Sequence, residues 1–183
     1  MAQAFNINAF RGALKGGGAR PNLFDVSIGG RAGLAGLQFV CKGASLPGTD
    51  IGTVEVPYFG RTVKLPGNRT YAEWTATIIN DEDFAVHSGI VKWMDDLNKT
   101  VSNVATGPIG TPLSATVDIQ QRTKEGQPAF DGGVVQLINA FPSSLAGIDL
   151  AWDSNDAIEE FTVTFQYDYW QNSATEQGAG FSS

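Results

Sequence analysis

The last third of the chain carries the pattern that most restricts its fold. From Phe161 to Tyr169 apolar and polar residues alternate one for one. Phe161, Val163, Phe165, Tyr167 and Tyr169 share one side of an extended chain, and Thr162, Thr164, Gln166 and Asp168 share the other. A period of two cannot make one face of a helix, so the segment is predicted to be a strand with its aromatic side turned to a core. Asp153, Ser154, Asn155 and Asp156 precede it. Their short polar side chains can hydrogen-bond nearby backbone, which marks the connection of a hairpin, with Leu150 and Trp152 leading in.

The same alternation recurs upstream. Phe24, Val26 and Ile28 form one set and Leu37, Phe39 and Cys41 another, read as a hairpin joined across the glycine-rich loop from Gly29 to Gly36. Val54 to Tyr58 and Arg61 to Leu65 are two short strands bounded by Pro57 and Pro66, which suggest strand ends or edges, and Pro66, Gly67 and Asn68 read as a turn. Trp74, Ala76 and Ile78 mark a strand within Thr70 to Ile79. Ala115, Val117 and Ile119 mark another, and Val134 to Phe141 a further one.

A single segment has helical spacing: Val86, Ile90, Met94, Leu97 and Val101, flanked by Phe84 and Trp93. Asn80 or Asp81 can cap it, and Asp81, Glu82 and Asp83 suit the positive end of its macrodipole. Gly89 weakens it by about 1 kcal/mol relative to Ala, so tertiary packing must hold it. Many strands and one helix predict a mainly β fold, an antiparallel β-sandwich or barrel with one flanking α-helix. The expected organisation is a flexible arm over 1–18, one domain over 19–170 and a flexible Gly/Ser/Gln-rich tail over 171–183. The stretch from Thr100 to Pro112, broken by Gly107, Pro108, Gly110 and Pro112, is a long loop suited to contacts outside the domain.

With 183 residues, 42% of them hydrophobic, the chain can bury one core. It shows neither a secretory signal pattern nor an unbroken apolar stretch near the length that spans a bilayer, which predicts a soluble product made in a cytosol with no membrane segment. Cys41 is the only cysteine, so an intrachain disulfide is excluded, as is any zinc site needing two thiolates. A net charge of −7 argues against a protein that grips nucleic acid.

Catalytic patterns are missing. His87, the only histidine, lies in the predicted helix with no serine or cysteine at useful spacing. The run from Gly29 to Gly36 lacks the order of a phosphate-binding loop. From Asp153 the acidic residues begin like a calcium loop and fail at Ala157. No catalytic, cofactor-binding or metal site is therefore assigned. Trp74, Trp152, Phe161, Phe165, Tyr169 and Trp170 are candidates for the core or a subunit interface, in preference to a stacking platform for bases or sugars. Phe5, Phe10 and Leu14, spaced by glycine and polar residues, are candidate assembly contacts.

Four stretches carry a resemblance: "ARPNLF" at 19–24, "FVCKGASLPG" at 39–48, "GNRTYAEWTATIINDE" at 67–82 and "LAWDSNDAIEEFTVTFQYDYW" at 150–170. As an ordered set they resemble the tail tube proteins of contractile-tailed, T4-like bacteriophages. The resemblance implies a non-enzymatic virion subunit, with the fold also found in type VI secretion tubes. It implies hexameric rings stacked into the inner tail tube, a conduit for DNA ejection assembled in the host cytoplasm. The partners it implies are further copies, the sheath, the baseplate tube initiator, the tail terminator, a tape measure protein in the lumen, and genomic DNA passing without specific binding. A tube initiator or secretion-system tube homologue is the nearest alternative. A monomeric ligand-binding β-barrel is the alternative of another class, and a hydrolase the most remote.

Overall fold

The computed structural model describes residues 7–30, 34, 36–102, 113–129, 133–153 and 158–172. Its strands are β1 (Phe24–Ile28), β2 (Cys41–Ala44), β3 (Asp50–Tyr58), β4 (Arg61–Thr70), β5 (Trp74–Ile79), β6 (Ala115–Gln121), β7 (Val135–Leu145), β8 (Glu160–Gln166) and β9 (Tyr169–Asn172). The helices are α1 (Ile7–Ala13), α2 (Leu37–Val40) and α3 (Ala85–Leu97). Strands β1-β6-β7-β8-β5-β2 follow one another across a main sheet, β9 adds to β7, and β3 pairs with β4 alone. Every strand pairing is antiparallel.

A bent hairpin turns the main sheet around its core. The first half of β7 pairs with β9, Val135 opposite Asn172 through Ile138 opposite Tyr169. The second half pairs with β8, Phe141 opposite Gln166 through Leu145 opposite Val163. Between them Asn139 takes a left-handed backbone, φ 56°. Its Nδ2 donates to Asp168 Oδ2 at 2.7 Å, its Oδ1 accepts from Ser114 Oγ at 3.4 Å, and the Asp168 N–H donates to the Ile138 carbonyl at 3.1 Å. Asparagine tolerates this conformation better than other side chains, and these bonds fix the corner. The bend sends β1-β6-β7-β9 one way and β7-β8-β5-β2 another, an open barrel filled from both halves.

The bend also corrects the alternation read across Phe161 to Tyr169. Phe161, Val163 and Phe165 are buried, but Tyr169 is 43% exposed, and Trp170 packs against the core in its place. The residues at 167–168 lie between two pairing registers, so the inward parity changes there. The core itself joins Val26, Ile28, Val117, Ile119 and Leu137 of one half to Trp74, Ala76, Ile78, Val163 and Phe165 of the other.

Helix α3 lays Val86, Ile90 and Trp93 onto this core, with Met94 and Leu97 partly buried beside them. Trp93 stacks obliquely on Phe165, and its Nε1 donates to the Leu113 carbonyl at 2.8 Å. The helix starts later than its acidic stretch suggested. Phe84, at φ 51°, is the N-cap, and Asp81 to Asp83 form the preceding turn. Asp81 still acts on the terminus, accepting from the Ala85 N–H at 3.1 Å. Val101 lies beyond the helix and is exposed.

Two further expectations change. Residues 24–28 and 37–41 do not form a hairpin, because β1 pairs with β6 and β2 with β5. Leu37–Val40 is a helical turn, and Leu34 and Leu37, three apart, are both buried in the core. Pro66 to Asn68 is not a turn but part of β4. There β3 carries a register shift between Ile51 and Thr53. A Cβ on Gly67 would stand 3.0 Å from the Gly52 carbonyl oxygen, so the irregular pairing needs glycine.

Candidate assembly surface

Strands β3 and β4 repeat the alternation of the core strands with nothing beneath them among the described residues. Val54 faces Leu65, Val56 faces Val63, and Tyr58 faces Arg61, which puts these six on one side. Thr53, Glu55 and Pro57, opposite Pro66, Lys64 and Thr62, occupy the other. The second side is what water favours, with Lys64 Nζ 3.4 Å from Glu55. The first side is apolar, yet Val54, Val56, Val63 and Leu65 are all about half exposed. Every residue of β3 is exposed. An isolated two-stranded ribbon is marginal in water, so this one is built to be covered.

The ribbon ends in a two-residue turn, Phe59 at φ 44° and Gly60 at φ 76°. Positive φ at both positions is the turn that matches strand twist, normally served by Asn-Gly or Asp-Gly. Phenylalanine in the first position bears a backbone cost of about 1–2 kcal/mol. Its ring stands edge-on to Tyr58, centroids 4.6 Å apart, and Phe59 remains 91% exposed.

The residues singled out from sequence are distributed as follows. Trp74, Phe161 and Phe165 lie in the core, and Trp74 Nε1 donates to the Ser45 carbonyl at 2.6 Å. Trp170 is partly buried, donating to the Gly48 carbonyl at 3.3 Å. Tyr169 and Trp152 are exposed, Trp152 fully, so neither belongs to the core. Phe10 projects from α1, a seven-residue helix within the arm, and Leu14 directly follows it; they are 65% and 41% exposed beside Ile7 at 73%. Phe5, the loop over 103–112, the turn residues 154–157 and the tail from 173 lie outside the described residues.

The titratable groups are structural. His87 stands between Phe84 and Phe161 with edge contacts at 5.8 and 5.2 Å. Burial pushes the Cys41 thiol up to about 11, against a smaller lowering by the Gly43 backbone, which favours the protonated thiol at neutral pH. Among the described residues, no three His, Cys, Asp or Glu side chains gather as a metal site requires, and no helix is long and apolar enough to cross a membrane.

Sequence reasoning recognised strands at 54–58 and 61–65 but not their importance. The available signal was the apolar run Val54, Val56, Tyr58, Phe59, Val63 and Leu65, interrupted by Pro57 and followed by Pro66, prolines that favour edges. The structure adds that none of the described residues covers it.

The described residues form an open antiparallel barrel with a flanking helix and a projecting amphipathic ribbon whose apolar face is exposed. The fold is that of contractile injection tube proteins. It matches a chain of the sheath/tube terminator of an extracellular contractile injection system, PVC, with a TM-score of 0.61 at 19% identity, over 81% of this chain and 91% of that one. The model of the phage tail tube protein family matches residues 19–173, and the chain belongs to that family. It is 28% identical to tail tube protein gp19 of Enterobacteria phage T4 over 153 residues, 84% of this chain and 91% of that protein. It is 25% identical to the tail tube protein of Serratia phage KSP90 over 169 residues, 88% and 93% of the two. This is a structural, non-enzymatic component of the virion tail of a contractile-tailed phage.

Proposed function

We propose that this subunit forms hexameric rings that stack into the inner tube of the tail, and that the tube is the conduit for DNA ejection. The observation that carries the reading is the apolar face of β3–β4, which within a tail tube protein calls for further copies to cover it. At about 3.4 Å per residue, the nine residues of β3 span roughly 30 Å, about the width of a small domain. A ribbon of that length can lie across a neighbour. The exposed residues Ile7 and Phe10 of α1 and Leu14 just after it supply a second apolar patch for the same purpose.

Sheath and terminator are the next partners in this reading. Similar chains occur in a PVC sheath–tube complex and in the PVC sheath/tube terminator, and a tube needs a lateral and an end contact. A baseplate initiator at the other end and a tape measure protein within complete the assembly. A hexamer multiplies the subunit charge of −7 sixfold, and acidic residues on the wall would let a phosphate backbone slide without sticking.

Electron microscopy of the purified protein tests assembly. Long tubes with sixfold end views are expected; a monodisperse monomer at all concentrations overturns the reading. Counting charges along the lumen of such tubes tests the conduit. Lys and Arg outnumbering Asp and Glu there, or salt-sensitive binding of double-stranded DNA, would sink the sliding account and leave assembly intact.

A further inference from the structure

We propose that the aromatic tip of the β3–β4 ribbon inserts as a knob into an apolar pocket of a second copy, between the two open ends of its barrel. The proposal rests on the assembly reading above and names the two surfaces that meet.

The knob comes first. Among the described residues, non-glycine positive φ occurs at Phe59, Phe84 and Asn139. Asn139 is compensated by its hydrogen bonds at the barrel corner, and Phe84 caps α3 and contacts His87. Phe59 is 91% exposed, and its ring contact among the described residues is with Tyr58, itself 67% exposed. A hairpin turn that needed nothing but its shape would be served better by asparagine or glycine. Strain held with no return inside the subunit points to a use outside it.

The pocket lies where the sheet fails to close. β1 and β2 end the strand path, so each has one edge without a partner strand in the sheet. Between them is a cavity of about 230 Å³ whose walls include Pro21, Phe24, Ala44, Leu46 and Ile119. This suits one aromatic ring with its neighbours. The groove along α3, lined by His87, Val91, Met94, Asp95 and Leu145 among others, measures about 840 Å³ and is too large to grip a single ring.

The two cannot meet within one chain. Leu46 lies four residues before the start of β3, so the pocket is at the base of the ribbon, whereas Phe59 is at its tip, roughly 30 Å away along paired strands. The occupant is therefore another copy. Tip and pocket are different surfaces, so the contact is heterologous, the kind that propagates into a ring or filament instead of stopping at a dimer.

The test replaces Phe59 by a photoreactive aromatic, Phe59→p-benzoylphenylalanine, which keeps a ring at the tip. Irradiated assemblies should yield crosslinks to peptides containing Pro21–Phe24 or Ala44–Leu46. Crosslinks to α3 or to another surface overturn the proposal. Two variants read it independently of the label: Phe59→Ser removes the knob and Leu46→Trp fills the hole. Each should leave a folded subunit and raise the concentration needed for assembly at least about thirty-fold, as loss of an interface hot spot does. Assembly at wild-type concentration by both variants overturns the knob while leaving the tube reading standing. A wild-type protein that never assembles overturns both.

Discussion

Strands β5 and β8 and strands β3 and β4 are written in the same pattern and meet opposite fates. In the first pair Trp74, Ala76 and Ile78 lie across from Phe165, Val163 and Phe161, and all six are buried. In the second, Val54, Val56 and Tyr58 lie across from Leu65, Val63 and Arg61, and all six are exposed. Alternation fixes that a strand has an apolar face; it does not fix whose atoms will cover it. The barrel pair is satisfied by α3 and the facing sheet of its own chain. Among the described residues the ribbon has no such layer, and that unmet face is the surface on which the proposed assembly rests.

The contrast makes its strongest prediction at Phe165, which is fully buried between Trp74 and Trp93. Phe165→Ala should destabilise the unassembled subunit by roughly 3–5 kcal/mol. Denaturant unfolding measures it, and a loss below about 1 kcal/mol would mean that the core does not depend on this face. The barrel corner comes next. Asn139→Val puts a β-branched residue at φ 56° and deletes the bonds to Asp168 and Ser114. A cost of about 2–3 kcal/mol is expected from the backbone strain together with a lost hydrogen bond. Asn139→Gly, which keeps the bonds deleted but relieves the strain, should recover about half of it.

The corner also explains how far sequence reasoning could reach. The mainly β class and the flanking helix were legible because Phe161, Val163 and Phe165, or Val86 and Ile90, carry strong local periodicity. Tyr169 was misread because periodicity extends smoothly through a bend that only pairing partners reveal: β7 is shared by β8 and β9 with a break at Asn139 and Asp168. The pairing of β1 with β6, some ninety residues later, left no local mark either, since a loop rich in glycine looks alike in a hairpin and in a crossing. The ribbon was visible as two strands, but exposure of its apolar face is a property of the whole fold.

A smaller effect separates the barrel interior from the ribbon by pH. Cys41 has its thiol pushed up to about 11 chiefly by burial, above the usual value of about 8.5 for an unfolded chain. The neutral thiol is thus favoured by the folded state. Its stabilising contribution is fully present below the unfolded value and is lost as pH rises from about 9 toward 11. Stability of the wild type should fall more steeply across that window than that of Cys41→Ala. Equal slopes, from unfolding midpoints at pH 8 and pH 10.5, would remove the buried-thiol account.

The smallest expected change in subunit stability belongs to the ribbon, and it is the sharpest test of the comparison. Val56 and Val63 face each other on its apolar side, 42% and 51% exposed. Val56→Ser and Val63→Ser retain the strand pairing and remove little that is buried within the subunit. Each should shift unfolding of the unassembled protein by no more than about 0.5 kcal/mol, as surface substitutions do. In the proposed tube the same methyl groups would be taken from water, where each buried CH2-sized group contributes about 0.8 kcal/mol, and every subunit of the variant would lose them at once. The double variant should therefore unfold like the wild type while failing to form tubes at concentrations where the wild type does. If stability collapses in the isolated subunit, the ribbon is part of the folding core after all, and its apolar face is covered from within. If both stability and tube formation are unchanged, the face is not an interface, and the division between a self-satisfied barrel and a partner-seeking ribbon fails.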